Sequence, residues 1–485
     1  MILFLSEDKY HYELENIVRM FFWQVDVIRD LPAEYPDEYC AAYSDESEKR
    51  LIAKVKVKGR NCCTRESDNI DCDSKSIEYM LAVMLFECLC EVTEKKPEFG
   101  IMTGVRPAKY FSNLITSGLS ADEAQQYLID HALVSEKKAK LVRMTSENGV
   151  RLGEKIREKG FSLYVSIPFC PSRCSYCSFV SKSTEKERKL IKPYLEALCS
   201  EIDFTAKLTK SLGLVLQTVY IGGGTPTVLS SEELFHLTNA IRQLFGEPAD
   251  GEYCVEAGRP DTITREKLEV LKKAGVTRIS INPQTANDKV LQKIGRRHSA
   301  AEIEDCYRLA REIGFDNINA DFIAGLPGDD IESFKNSMDW ALNVLKPESI
   351  TVHALTLKRA SRMRENQVEI FSPDAALMVD HAQEVLVDAG YLPYYMYRQK
   401  GTVDSLENTG YAKPGYECLY NLFIMDEMQS IIACGAGAVT KLMDPKSNLI
   451  ERVFDLKYPQ EYLDRFNEML ERKLYIKEFY DSNGI

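Results

Sequence analysis

The chain has 485 residues and 45% hydrophobic content, enough to bury one large core or two moderate ones. Its 74 Asp and Glu outnumber 61 Lys and Arg, for a net charge of -13. That balance gives no electrostatic footprint for nucleic acid or an anionic membrane, so small molecules are the expected partners.

The start MILFLSEDKYHYEL lacks a basic segment and meets Glu7 and Asp8 at once, so it reads as neither signal peptide nor anchor. No window approaches the roughly 18 to 20 apolar residues of a membrane span. A cytoplasmic location is therefore expected, where thiols stay reduced and the 14 cysteines need an account other than disulfides. Most stand singly (Cys40, Cys199, Cys254, Cys306, Cys434) and read as small buried hydrophobes.

Residues 1–134 predict a small α+β domain. RLIAKVKVKG (50–59) alternates like a strand, whereas SIEYMLAVMLFECL (76–89) and AQQYLIDHALV (124–134) are helical in period and flank the turn-like GIMTGVRPAK (100–109). A charged helical linker follows over 135–160. From 161 to 370 short β-rich runs recur: LYVSIPF (163–169), QTVYIGG (217–223), EYCVEAG (252–258), TRISIN (277–282), NINADFI (317–323) and SITVHAL (349–355). Amphipathic helices such as SEELFHLTNAIRQLF (231–245) lie between them. Six β/α units in series predict an α/β fold with a parallel sheet, whose sites sit at the carboxyl ends of the strands. Residues 371–485 break the rhythm with a helix (374–390), a Tyr-rich stretch (391–403) and the glycine cluster CGAGAVTK (434–441), read as a substrate-side appendage that closes the sheet.

IPFCPSRCSYC places Cys170, Cys174 and Cys177 in a C-x3-C-x2-C array just after the first of these strands. Four-iron clusters usually take four cysteines, so three leave one iron open to another ligand. A structural zinc knuckle needs a fourth Cys or His nearby, and none follows at that spacing. Gly222, Gly223 and Gly224 permit close approach of backbone to a ligand, with an ordinary glycine turn as the plain alternative. Glu256 can accept hydrogen bonds from ribose hydroxyls or be a surface carboxylate. Arg296 has the fork that suits carboxylate capture.

With these motifs assembled, the sequence resembles the radical SAM superfamily, and more narrowly the oxygen-independent coproporphyrinogen III oxidases and their HemZ-type relatives. The resemblance covers residues 100–441 and rests on LYVSIPFCPSRCSYCSF, YIGGGTPTVL, VEAGRPDTI, RISINPQTANDKVLQKIGRRH, NADFIAGLPG and YRQKGTVDSLENTGYAKPGYECLYN. It implies a partial (β/α)6 barrel carrying a 4Fe-4S cluster on the three cysteines and S-adenosylmethionine (SAM) at the open iron. Carried over residue by residue, it implies Tyr164, Gly223 and Glu256 beside that SAM, with Val439 also near. Tyr176, Gly224, Thr225, Gln284, Arg296, Asp321 and Ala354 would face a second SAM. The implied reaction converts coproporphyrinogen III propionates to vinyls, giving protoporphyrinogen IX. An electron donor such as flavodoxin or ferredoxin is implied too. Arg398 and Gln399 in YYMYRQKG are the candidates for holding propionates.

Two departures bear on that reading. Phe179 stands where the best-known oxidases carry a further cysteine, as it does in related haem chaperones. Those chaperones in turn carry a His-Asn-x-x-Tyr-Trp motif after an AKPG-type segment. Here Tyr420 replaces the His, and Ile424 and Met425 replace the Tyr-Trp pair. A haem-binding chaperone and a radical SAM methyltransferase acting on haem are the alternatives.

Overall fold

The structure, a computed structural model, describes residues 1–6, 10–45, 48–68, 73–179, 181–356 and 374–484. Glu7, Asp8 and the domain boundary expected at 370–371 lie outside them. The chain divides into two compact units, Met1–Arg143 with Arg398–Leu406, and Met144–Tyr397 with Glu407–Ile485. The division falls within the helix Glu136–Gly153, inside the segment expected as a linker. Among the described residues no helix is long and apolar enough to cross a membrane.

The first unit is a five-stranded sheet in the order β2-β1-β3-β4-β5: β1 (Ile2–Leu5), β2 (Asp26–Ile28), β3 (Tyr39–Asp45), β4 (Arg50–Lys56) and β5 (Cys63–Ser67). Alternation decides its two faces. Leu51, Ala53 and Val55 of β4 point into one core with Leu81, Leu85 and Leu89 of the helix Ser74–Thr93. That helix begins where the Asp73 carboxylate accepts from the amides of Lys75 and Ser76.

The second unit contains an eleven-stranded sheet. Six of its strands are mutually parallel in chain order: β6 (Gly160–Ile167), then, after the two short strands β7 (Phe169–Cys170) and β8 (Lys182–Ser183), β9 (Val215–Gly223), β10 (Glu252–Glu256), β11 (Arg278–Ser280), β12 (Ile318–Ala324) and β13 (Ser349–Ala354). Each expected β-run is a strand of this series. This is the α/β order that the resemblance implies. The connecting helices start at side-chain caps legible in the chain. Ser230 and Glu233 form a reciprocal capping box ahead of Ser231–Phe245, and Ser299 and Glu302 do the same ahead of Ala300–Ile313.

The remaining strands extend the sheet at both edges. β14 (Leu392–Arg398) and β15 (Glu407–Ala412) continue beyond β13, and β15 runs antiparallel to it. β16 (Ser430–Cys434) lies parallel to β6, followed by β17 (Val439–Met443) and β18 (Ile450–Phe454), antiparallel in turn. Residues 407–454, expected as an appendage, are thus part of the same sheet. Their hydrophobic runs are too short for their partner to be read from sequence.

A buried ion cluster fixes the loop after β16. Lys473, on the helix Phe466–Asn483, reaches Glu201 at 2.8 Å and Asp455 at 3.9 Å, all three side chains being about 1% exposed or less. Glu201 accepts from the Gly435 amide at 2.9 Å and from the Tyr462 hydroxyl at 2.5 Å. Removing one member of such a cluster leaves an uncompensated buried charge. Lys473→Met is expected to lower the unfolding free energy in urea by about 3 to 5 kcal/mol. The double variant Glu201→Gln/Lys473→Met should recover at least half of that loss.

Candidate active site

Gly223, Glu256 and Ala354 end β9, β10 and β13, and Tyr164 and Asp321 lie within β6 and β12. Cys170 closes β7, which pairs with β8, and residues 171–179 form a loop leaving this strand pair. That loop is pinned along its length. Thr225 donates its amide to Phe169 O at 2.8 Å, the Ser175 amide and hydroxyl both donate to Ile294 O, and the Ser183 hydroxyl donates to Pro171 O. The cysteines are free thiols, Cys174 buried and the other two half-buried. Burial pushes the Cys177 thiol up to about 11 and raises that of Cys170 as well, so a bound metal is what would hold them as thiolates.

The glycine run fits a group seated against it. Gly223 has φ +106°, a conformation L side chains rarely adopt. The Gly224 amide donates to Ile167 O at 2.8 Å, and a Cβ there would come within 2.4 Å of Phe169 O. A Cβ on Gly222 would fall 2.8 Å from the Glu256 carboxylate. Backbone, carboxylate and thiols therefore approach one another as a ligand with amine, carboxylate and hydroxyl groups requires, and the three-thiol loop beside them fits a cluster with one open iron.

Glu256 sits behind this cradle. It accepts from the Tyr220 hydroxyl at 2.7 Å, and Tyr220 stacks on Tyr420 at 4.4 Å between ring centroids, with Tyr164 at 6.2 and 6.1 Å from the two. Burial raises the Glu256 carboxyl to about 7, Asp321 adds to the shift, and the bonds from Tyr220 and the Gly223 amide oppose it.

The second group of expected residues gathers at β11 and β12. Gln284 is buried at φ +71°, and its backbone bridges to the strand edge by donating to Asp321 O and accepting from the Ile323 amide. A non-glycine residue held there is a sign of local constraint at a site. Arg296 donates to the Tyr176 hydroxyl at 3.1 Å and to Gly258 O at 3.0 Å. Its Nε, the Asn282 Oδ1 and both ring nitrogens of His298 are buried without a hydrogen-bond partner among the described residues. Burial, with Arg296 and Arg259 nearby, lowers His298 to about 4, so its ring is neutral. Asp321 accepts from Asn319 at 2.8 Å and faces His353 at 3.9 Å. The Ala354 amide donates to Asn408 at 3.1 Å, and Val439 opens β17.

Arg398 and Gln399 both belong to the segment 398–406 of the first unit. Arg398 is buried, its guanidinium donating to Ser405 O and Met102 O and lying over the Phe99 ring at 4.5 Å. Its guanidinium is thus engaged by backbone carbonyls. Gln399 accepts from the Thr402 hydroxyl through its carbonyl oxygen. Conversely, Arg259 and Tyr220 were not singled out from sequence. The available signal was a charged or hydroxyl-bearing residue near the end of a barrel strand.

Gly224→Ala should lower iron and sulfide uptake on anaerobic reconstitution severalfold while leaving the far-UV circular dichroism unchanged, because the added methyl displaces Phe169 and the loop behind it. The carboxyl of Glu256 predicts a pH effect. Its folded-state value lies above the roughly 4.3 of an exposed Glu, so its favourable contribution is full below that value and is lost as pH rises through about 7. Relative to Glu256→Gln, the unmodified protein should lose on the order of 2 kcal/mol of stability between pH 4.5 and 8, allowing for partial exposure. Urea unfolding of both across that range measures it.

The sequence profile of the radical SAM superfamily matches residues 164–341. The oxygen-independent coproporphyrinogen-III oxidase-like protein HemZ of Bacillus subtilis strain 168 is 32% identical over 492 positions, spanning 98% of this chain and 97% of that protein. Heme chaperone HemW of the same organism is 39% identical over 198 positions, 41% of this chain and 51% of its own. Among solved structures, coproporphyrinogen III oxidase (HemN) from Escherichia coli has a TM-score of 0.53 at 24% identity, covering 67% of this chain and 73% of that one, a likeness of fold. A match along nearly its whole length, joined to the cysteine loop and the parallel strand order, makes this chain a member of the radical SAM superfamily and, within it, of the HemZ-like coproporphyrinogen-III oxidase-like family.

Proposed function

We propose that this chain is a radical SAM decarboxylase that converts the propionate side chains of coproporphyrinogen III to vinyls, giving protoporphyrinogen IX. The observation that carries the choice over a haem chaperone is Tyr420. It occupies the position at which the related chaperones hold their haem-ligating His, and it is only 4% exposed, stacked against Tyr220 within the sheet's aromatic cluster. A phenol buried in that way is not presented as an iron ligand, and Ile424 and Met425 stand in place of the Tyr-Trp pair.

In this reading Cys170, Cys174 and Cys177 hold a 4Fe-4S cluster, with Tyr164, Gly223, Glu256 and Val439 around the SAM bound to it. When bound, that pair supplies a carbon-centred radical on receipt of one electron from a flavodoxin- or ferredoxin-type donor. The protein's part is geometry. Gly222 to Gly224 admit the amino acid portion of the cofactor, and Glu256 takes ribose hydroxyls while Tyr220 orients its carboxylate. A second SAM is proposed between Tyr176, Gly224, Thr225, Gln284, Arg296, Asp321 and Ala354, supported by the buried polar atoms of Arg296 and Asn282 that lack partners. Each propionate loses one hydrogen atom, one electron and carbon dioxide overall, so the turnover also requires an electron acceptor.

Anaerobically reconstituted protein, given SAM, a low-potential donor and coproporphyrinogen III, should yield protoporphyrinogen and carbon dioxide. Cys170→Ala, Cys174→Ala and Cys177→Ala should each reduce SAM cleavage at least a hundredfold. Stoichiometric haem binding with no turnover would replace this reading with the chaperone, and methyl transfer to haem with the methyltransferase.

A further inference from the structure

Arg259 follows β10, two strands from β6 in the sheet, and its side chain reaches back to the cysteine loop. Its backbone is extended, φ -134° and ψ 119°, directly before Pro260. Its side chain is 4% exposed. Nη1 donates to Ser172 O at 3.2 Å and to the Ser172 hydroxyl at 3.0 Å, and it stands 3.8 Å from Cys174 Sγ. Nε and Nη2 form a two-point ion pair with Asp261 at 3.0 and 2.9 Å. The carbonyl of Arg259 in turn accepts from the amide and hydroxyl of Thr262, which closes the turn Pro260–Thr262 and fixes Asp261 relative to the guanidinium.

The orientation has a consequence. The cation is on the cysteine side, and the carboxylate is on the outer side, where Asp261 is 28% exposed and partly screened by water. A cluster's potential follows its net charge, the hydrogen bonds to its sulfurs and its exposure. A buried N–H donor and positive charge at a ligating sulfur favour the state with one more electron.

We propose that Arg259 is a positioning residue that sets the reduction potential of the cluster held by Cys170, Cys174 and Cys177, through its N–H group at Cys174 Sγ, and that anchors the loop through Ser172. The proposal rests on the cluster assignment made above. The step it acts on is a one-electron reduction by an external low-potential donor, in which no bond forms or breaks and the cluster's charge becomes one unit more negative. Arg259 offsets that added charge. Asp261 works against it by lowering the local positive potential, so the two residues should move the potential in opposite directions.

The test is a potentiometric titration of anaerobically reconstituted full-length protein, followed by electron paramagnetic resonance of the reduced cluster, with iron and sulfide counted. Arg259→Gln should lower the ratio of reduced to oxidised cluster at least tenfold at a fixed ambient potential, a downward shift of about 59 mV for one electron. Asp261→Asn, which leaves the guanidinium in place, should raise that ratio about threefold. Should Arg259→Gln take up no cluster, the sign of the Asp261→Asn shift decides the matter alone. Clusters of unchanged potential in these variants would overturn the role of Arg259 while leaving the cluster assignment standing. Absence of iron and sulfide from the unmodified protein would overturn both.

Discussion

Backbone packed directly on backbone at the ends of β6 and β9 is the constraint on which the site depends. The amides of Gly224 and Thr225 reach the carbonyls of Ile167 and Phe169, one on either side of Pro168. Those bonds hold the base of the cysteine loop against the glycine run. Any side chain at residue 224 would occupy the space of Phe169 O. A comparable approach exists on the opposite flank, where Gly435, at φ +102°, brings its Cα against Ser166 O and the Tyr194 hydroxyl. There the Tyr194 hydroxyl donates to Ser166 O and accepts from the Ala436 amide. The strand that feeds the cysteines is thus gripped from both neighbours by segments whose glycines make the contact possible. The ion cluster of Lys473, Glu201 and Asp455 stabilises the second grip by holding Gly435 through its amide.

Much of this was legible in the chain because parallel strands buried on both faces read as continuous apolar runs, and because ligands follow the carboxyl ends of such strands. The six runs, the cysteine spacing and the glycine triplet needed only local pattern. What escaped was long-range. β15 through β18 are short, and β15 and β16 pair with β13 and β6 across large sequence separations, so local pattern names neither their partners nor their register. Arg398 shows the same limit for a single residue. A lone arginine after a tyrosine run reads as an anion ligand, but its carbonyl partner Met102 lies about three hundred residues earlier in the chain. Arg259 fails in the other direction. VEAGRPDTI marked its neighbourhood, yet only the fold brings Ser172 and Cys174 to its guanidinium.

The buried tyrosines suggest why one carboxylate at the site can be protonated near neutral pH while its neighbours carry charge. Tyr164, Tyr220 and Tyr420 form a low-polarity floor, and burial raises all three hydroxyls, so they remain neutral donors. Glu256 meets that floor rather than a cation, hence its upward shift. Arg259 and Arg296, by contrast, are placed toward the cysteine loop and Tyr176. Positive charge is therefore concentrated where thiolates and an incoming electron would add negative charge, and is kept away from the carboxylate.

That separation has a consequence for what the pocket accepts. A cationic ligand seated against the glycine run would meet the cysteine loop on one side and a carboxyl raised to about 7 on the other. Cation binding there favours the ionised form of Glu256, as any opposite charge nearby would. The ligand and the carboxylate then stabilise each other, and the carboxylate becomes a stronger acceptor for hydroxyl groups. A neutral or anionic ligand would gain nothing from the same arrangement. The arrangement favours positive charge beside Glu256 through one carboxyl whose environment is set by Tyr220 and the Gly223 amide.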